Sequence, residues 1–487
     1  MGREMNNRFV RNSLLLISIE MMAKVLGMLF FIFVARFLGA RDLGLFAFAM
    51  AVANFIVIPA KFGFEDLVQR EVSRNPKGTY YYFRGLGAIK GLISVILLGL
   101  YLLILLLWFR SDIAVMAMAA AFALVYSFME FTNAFFRANQ RAELELVVRL
   151  CFSVCNFLLG VAILYAGYRL QGVLMTQLVS VGAGVILALF TLQRVAAREQ
   201  YDKEWRTFWG QLAAAVPFAG ILVALYFSNQ IGVVILNFLA GREEVGYFAS
   251  AFRIFDALTL IPAAITGAFL PAMSLYYVQS LGKFVRTLRF TLKYLFILTA
   301  PLVVITTLLA QPIIIFLYRA PFAPSIPALQ ILGLSLVFSF WNFAGQSVLV
   351  ARNRERLVLV SIWVVAVVHV AANLLLIPGF SYLGACWAIF ATQGIYCAIL
   401  FTFLLQRYLS FWQLLQLIAV PVLSAAIMGL VVYLMRQTPL FIAILTGLLV
   451  YGGALWVLGA VTPMDKNYLR KIMTPEPKDL SLGQGGD

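Results

Sequence analysis

Charged side chains stand inside long apolar stretches of this chain, and their spacing groups them. Glu20 and Lys24 fall at i, i+4, which puts them on one helix face. Arg253 and Asp256 repeat the pattern at i, i+3. Glu130, Asn133 and Arg137 fall at i, i+3, i+7 and form a single stripe. Lys61 follows Pro59 closely, and Asn54 lies in the same apolar run ahead of them. Guanidinium and ammonium groups donate charge-assisted hydrogen bonds to phosphate and carboxylate. A carboxylate beside them takes up a proton or a sodium ion, or holds the base in place. The chemistry these residues fit is reversible binding of an anionic or polar solute.

Little in the chain fits catalysis. His369 is the only histidine, and it sits in an apolar run where hydrogen-bonded structure is its ordinary role. Cys151, Cys155, Cys386 and Cys397 also lie in apolar runs, with no disulfide framework and no zinc spacing. Gly85-Leu86-Gly87-Ala88-Ile89-Lys90-Gly91 misses the dinucleotide spacing and follows no strand. Small residues for close helix packing explain it better.

The elements that must position the charges are membrane helices. The chain is 63% hydrophobic and 12% charged, where a soluble domain carries roughly 25% charged residues. Apolar runs at 12–36, 42–64, 84–109, 112–137, 144–167, 170–193, 209–239, 246–271, 287–310, 326–350, 356–378, 382–405, 413–434 and 440–461 are each long enough to span a bilayer. The expected fold is therefore an all-α polytopic membrane protein of about fourteen spans. A charge left in lipid costs roughly 2.5–3.5 kcal/mol on insertion scales, so Glu20, Lys24, Arg253 and Asp256 together would cost about 10–14 kcal/mol. They are expected to face protein or a water-filled cavity. The cost alone does not separate a cavity from an interhelical contact.

The net charge of +16 would point to nucleic acid on a soluble protein. Here the basic residues gather in alternate loops: Arg70, Arg74, Lys77 and Arg84; Arg194, Arg198, Lys203 and Arg206; Lys283, Arg286, Arg289 and Lys293. That is the positive-inside pattern, with attraction to anionic membrane lipid as a secondary effect. It predicts both termini on the cytoplasmic side and no nucleic-acid partner.

The chain also repeats itself. Phe37-Leu38-Gly39-Ala40-Arg41-Asp42-Leu43-Gly44-Leu45-Phe46-Ala47 resembles Phe238-Leu239-Ala240-Gly241-Arg242-Glu243-Glu244-Val245-Gly246-Tyr247-Phe248-Ala249. Ala138-Asn139-Gln140-Arg141 resembles Ala351-Arg352-Asn353-Arg354. The copies are separated by an even number of spans, so they share one orientation and form a parallel repeat. The expected organisation is an N-lobe at 1–196, a cytoplasmic linker at 197–208, a C-lobe at 209–407, two extra spans at 408–463 and a cytoplasmic tail at 464–487. Each lobe would hold six helices.

Arg36-Phe37-Leu38-Gly39, Gly44, Phe62-Gly63-Phe64, Arg70-Glu71-Val72, Glu244-Val245-Gly246-Tyr247-Phe248-Ala249 and Pro271 resemble the bacterial polysaccharide flippases of the multidrug/oligosaccharidyl-lipid/polysaccharide (MOP) exporter superfamily. The resemblance implies two lobes around a cavity and flipping of an undecaprenyl-pyrophosphate-linked oligosaccharide across the cytoplasmic membrane by alternating access. It implies no cofactor beyond a coupling proton or sodium ion, and partners among the polysaccharide-assembly proteins. An ion-coupled multidrug or small-molecule exporter of the same superfamily and a lipid II flippase are the alternatives. A membrane glycosyl-polymerising enzyme fits less well, because every external loop is short. The expected cavity residues are Glu20, Lys24, Asn54, Lys61, Glu130, Arg137, Arg253 and Asp256. Asn229, Gln230 and Asn237 either join them or make interhelical hydrogen bonds. Lys61 and Lys90 have two readings, a ligand role or snorkelling to the interface. Arg149 reads as a border charge.

Overall fold

The computed structural model describes residues 2–61, 63–195, 227, 230–405 and 408–460, with side chains in the first helix from Met21 onward. The side chain of Glu20, residue Asn229, the linker 197–208, most of the span expected at 209–239 and the tail 464–487 lie outside the described residues.

Every main element in the described residues is helical. The order is α1 (Gly2–Lys61), α2 (Phe64–Arg74), α3 (Thr79–Trp108), α4 (Ile113–Ala138), α5 (Ala142–Tyr165), α6 (Leu170–Val195), α7 (Gln230–Leu239), α8 (Arg242–Leu258), α9 (Leu260–Gln279), α10 (Leu281–Leu308), α11 (Ala310–Tyr318), α12 (Ser325–Ala351), α13 (Glu355–Leu405), α14 (Phe411–Leu434) and α15 (Leu440–Val457). The protein is an all-α, multi-pass membrane protein. Among the described residues, eleven helical stretches are long and apolar enough to cross a bilayer. The α3 helix shows why lipid is the solvent. Leu92, Val95, Ile96, Leu100, Leu103 and Leu107 are all exposed on it, and a helix apolar all round needs hydrocarbon or a core around it.

The count of eleven differs from the expected fourteen for local reasons. Two of the eleven stretches are continuous assignments that bend inside. The first bends at Gly39 (φ 78°, ψ 179°) and the second at Ser381 (φ 52°, ψ −134°). The conformation at Gly39 belongs to a region open essentially to glycine alone. Each bend falls where two separate spans were expected. The span expected at 209–239 is described only at its end.

The chain divides into two compact units. The first comprises Met1–Ala257, Ile314–Ala328 and Ile362–Ala388; the second comprises Leu258–Ile313, Leu329–Ser361 and Ile389–Asp487. In the first unit an aromatic core forms where α2, α3 and α4 meet. Phe64, Tyr82, Phe131, Phe135 and Phe136 are completely or almost completely buried there. In the second unit α14 and α15 pack against α10 through Met428, Val432, Tyr451 and Leu455. The Tyr451 hydroxyl donates to the Ile297 carbonyl at 2.7 Å. That bond satisfies a polar group that would be costly to leave bare in an apolar setting.

The repeat is visible in the backbone. Gln140 (φ 56°) and Asn353 (φ 55°) occupy the same place in their copies, and both are left-handed. The hydrogen bonds around them match. Arg141 N–H donates to Phe136 O and Gln140 N–H to Arg137 O; Arg354 N–H donates to Leu349 O and Asn353 N–H to Val350 O. This is the Schellman pattern of helix ends, repeated once in each copy.

Candidate functional site

The first unit contains a cavity of about 450 Å³. Its walls include the last third of α1, the end of α8 and turns of α4, α5, α6 and α7. Asn54, Lys61, Arg253 and Asp256, all expected cavity residues, line it. So does Gln230. Tyr126, Asn156 and Gln177 add polar groups that no spacing in the sequence had marked. Phe30, Phe31, Phe46, Phe122, Phe152, Phe248 and Phe252 supply aromatic surface between them. The Arg253 guanidinium lies 5.4 Å from the centre of the Phe31 ring. A cation held over a ring face is partly compensated for leaving water, yet keeps its N–H donors.

The repeat sets the register of these walls. Phe46 and Phe248, Ala47 and Ala249, Met50 and Phe252, and Asn54 and Asp256 are pairs at one constant offset, and all eight residues line the cavity. Gly39 and Gly241 share that offset, and both have positive φ (78° and 99°). The segments 37–47 and 238–249 resemble each other with one residue inserted in the second, which leaves Arg242 beside either Ala40 or Arg41. The structure matches Ala40 with Arg242, because the two positive-φ glycines mark the same turn. Chemistry breaks the symmetry. The first copy offers Ala51 and Asn54 where the second offers Arg253 and Asp256.

Lys24, Glu130 and Arg137 are not among the cavity-lining residues. Lys24 is half-buried on α1, and the cavity begins one turn later at Gly27. Glu130 and Arg137 belong to an ion-pair ladder between α4 and α5. Arg149 Nη2 donates to Glu130 Oε2 at 2.6 Å, and Arg149 Nε donates to Glu145 Oε1 at 2.9 Å. Arg137 Nη1 donates to the same Glu145 oxygen at 2.7 Å. The Glu145 side chain is only 2% exposed. Glu130 turns towards α5 and Glu145 towards α4, because the two guanidinium groups neutralise them between the helices, where an unpaired charge would be expensive. Arg149, expected at a border, is the hinge pin of this ladder. The signal was present in the i, i+4 spacing of Glu145 and Arg149. Among the described residues, Glu130 Oε1, Glu145 Oε2 and both amide atoms of Asn133 have no hydrogen-bond partner. Buried polar atoms of this kind are commonly satisfied by ordered water.

Lys90 takes a third course that neither sequence reading foresaw. It is completely buried. Its Nζ donates to Ala60 O at 2.9 Å and Ser127 Oγ at 2.8 Å, with the Phe64 and Phe131 rings 5.9 and 5.7 Å away. Ala60 is in the last turn of α1, where carbonyls lack helical partners. Lys90 therefore caps the helix that carries Asn54 and Lys61 into the cavity. His369 is buried, and its carbonyl accepts from Asn373 Nδ2 at 2.7 Å. Among the described residues, no group of His, Cys, Asp and Glu is arranged to hold a metal ion.

These features define a class: a polytopic helical membrane protein with a charged, aromatic-lined cavity built on an internal repeat. Residues 9–276 match the model of the polysaccharide biosynthesis protein family. The chain belongs to that family, whose place is in the MOP exporter superfamily. Comparison with curated proteins gives no match. Solved structures share the fold. The lipid II flippase MurJ, in an inward closed conformation, superposes with a TM-score of 0.67 at 15% identity, covering 91% of this chain and 98% of that one. An inward-facing multidrug resistance MATE family transporter of the MOP superfamily gives 0.62 at 15% identity, covering 82% and 95%. A MOP superfamily transporter from Pyrococcus furiosus, described as having a binding pocket of reversed polarity, gives 0.55 at 16% identity, covering 85% and 96%.

Proposed function

We propose that this protein flips an undecaprenyl-pyrophosphate-linked oligosaccharide across the cytoplasmic membrane by alternating access, and is not an enzyme. One observation carries the reading: Lys61 and Arg253 line a single cavity together with amides and aromatic rings. A pyrophosphate is a dense anion suited to ammonium and guanidinium donors. Sugars suit the rest of the wall, amides meeting hydroxyls and rings meeting the apolar faces of pyranoses. Asp256 lines the same wall and is the carboxylate we assign to a coupling proton or sodium ion. The basic loops support cytoplasmic termini. The parallel repeat supports two lobes that rock around the site. A lipid II flippase would meet the same pyrophosphate chemistry.

Reconstituted vesicles test the proposal. Purified protein is placed in liposomes with lipid-linked oligosaccharide in one arm and lipid II in the other. Translocation is followed by the exposure of sugar to an external lectin or glycosidase. The proposal requires faster translocation of the oligosaccharide lipid than in protein-free vesicles. It requires the rate to fall for Arg253→Ala. Movement of neither lipid would overturn it, and movement of lipid II alone would establish the alternative.

A further inference from the structure

The repeated motifs touch each other at one end of the cavity, and they do so reciprocally. Gly44 packs against the backbone carbonyl of Arg242, and Gly246 packs against the backbone carbonyl of Ala40. Ala40 and Arg242 each precede their own glycine by one helical turn. A methyl group built on Gly44 would overlap the Arg242 oxygen and lie 2.7 Å from its carbonyl carbon and 2.9 Å from Gly246 N. A methyl on Gly246 would overlap the Ala40 oxygen and lie 2.7 Å from its carbonyl carbon and 3.0 Å from its Cα. Every one of these obstructing atoms is backbone, which cannot swing aside as a side chain can. Two helices approach this closely only where Cβ atoms are missing.

The seam is tied down by side chains around it. Arg242 forms an ion pair with Asp112. Arg36 Nε donates to Leu317 O at 2.6 Å, and a second nitrogen of the same guanidinium donates to Phe316 O. Phe48 meets Phe238 edge to face at 5.8 Å. Beyond each glycine the next turns of α1 and α8 become cavity wall, beginning at Phe46 and Phe248. Basic loops at the opposite helix ends place this end of the cavity away from the cytoplasm.

We propose that Gly44 and Gly246 form a backbone latch that closes the non-cytoplasmic end of the cavity. The latch is self-complementary because it is made from two copies of one motif. It closes only while both positions lack a side chain, and it parts when the two copies separate. This inference rests on the alternating-access reading above, but its test does not depend on any substrate.

The test uses the full chain with its four cysteines replaced by serine or alanine and a reporter thiol placed by Asn54→Cys. A membrane-impermeant maleimide is added to intact cells, and the labelling rate is read. The expected result is slow labelling in this parent and at least tenfold faster labelling with Gly44→Ala or Gly246→Ala. Gly91→Ala, where a Cβ meets nothing within 4 Å, is the control and should leave the rate unchanged. If the glycine variants fail to reach the membrane, Asp112→Asn decides. It loosens the seam without adding volume and should also raise labelling. Unchanged labelling in every inserted seam variant overturns the latch. Faster labelling together with no lipid translocation in vesicles upholds the latch and sinks the flippase reading, so the two failures are separable.

Discussion

Asn54 and Asp256 occupy the same register position in the two copies of the repeat, and both face one cavity. The scaffold is nearly two-fold there, while at that turn only α8 carries charge, the α1 wall adding Lys61 further along. Arg253 and Asp256 stand on α8, and the matching turn of α1 has only Ala51 and Asn54. A site built this way has a polar gradient across it. An elongated solute with an anionic head and a neutral tail would be held in one direction by such a gradient.

Asp256→Asn tests whether that one-sidedness matters. It restores an amide on each side and removes the carboxylate. A hydrogen bond to a charged group is worth about 1.5–3 kcal/mol, so transport should fall by roughly ten- to a hundred-fold. Arg253→Ala should fall by at least as much, because it removes the cation seated over Phe31. Surface glycan in a strain lacking the native protein is the readout, with membrane-inserted protein quantified alongside. Normal glycan in both variants would remove α8 from the site.

The ion-pair ladder predicts a stability effect with little effect on binding. Arg149→Met leaves Glu130 and Glu145 without their shared guanidinium. Breaking a buried pair from one side typically costs about 3–5 kcal/mol. The thermal midpoint in detergent should drop clearly, and the yield of monodisperse protein should drop with it. Glu130→Gln keeps a hydrogen-bond acceptor for Arg149 and should cost much less. Equal midpoints for Arg149→Met and the parent would show that the ladder carries no stability.

The parts legible in the sequence were those with a long-range pattern. Apolar runs and alternating basic loops gave the helices, and charge inside those runs pointed to Asn54's neighbourhood, Lys61, Arg253 and Asp256. The repeat was legible too, except for where its one-residue insertion falls. Identity matching favours Arg41 with Arg242, while the backbone pairs Gly39 with Gly241 through their shared positive φ. What could not be read was which neighbour a buried charge would choose. Glu130 and Arg137 had the same credentials as Arg253 and Asp256. Only the packing of α5 on α4, which delivers Glu145 and Arg149, draws them out of the cavity wall. Lys90 was opaque for the same reason, since its acceptor is a main-chain carbonyl with no sequence signature.

Lys90→Met probes that internal cap. The methionine fills much of the volume but leaves Ala60 O and Ser127 Oγ without their donor. An unsatisfied buried acceptor costs about 1–3 kcal/mol, and the lost cation–ring contacts add up to about 2 kcal/mol when desolvated. A lower thermal midpoint is expected. Lys61→Met, at the end of α1 and lining the cavity, should instead lower transport while sparing the midpoint. The pair of lysines thus separates a positioning role from a binding role. Reversed effects, with Lys61→Met unstable and Lys90→Met transport-defective but stable, would exchange the two assignments.

Gly39 offers the sharpest test of the bend that lets one long helical stretch supply both a first span and a cavity wall. Its φ of 78° and ψ of 179° lie in a region that side chains avoid, and nothing lies within 4 Å of a Cβ built there. Space is therefore available and conformation alone is the obstacle. Gly39→Ala should destabilise by about 1–3 kcal/mol, the usual cost of holding such a backbone state. Gly91→Ala also meets open space but sits inside α3 with helical geometry, so it should be neutral or stabilising by up to about 1 kcal/mol. Comparing their thermal midpoints in the same detergent isolates the backbone term from any packing term. A Gly39→Ala protein as stable as Gly91→Ala would mean that the chain turns between its first two spans by some other geometry, and the register that pairs Gly39 with Gly241 would fall with it.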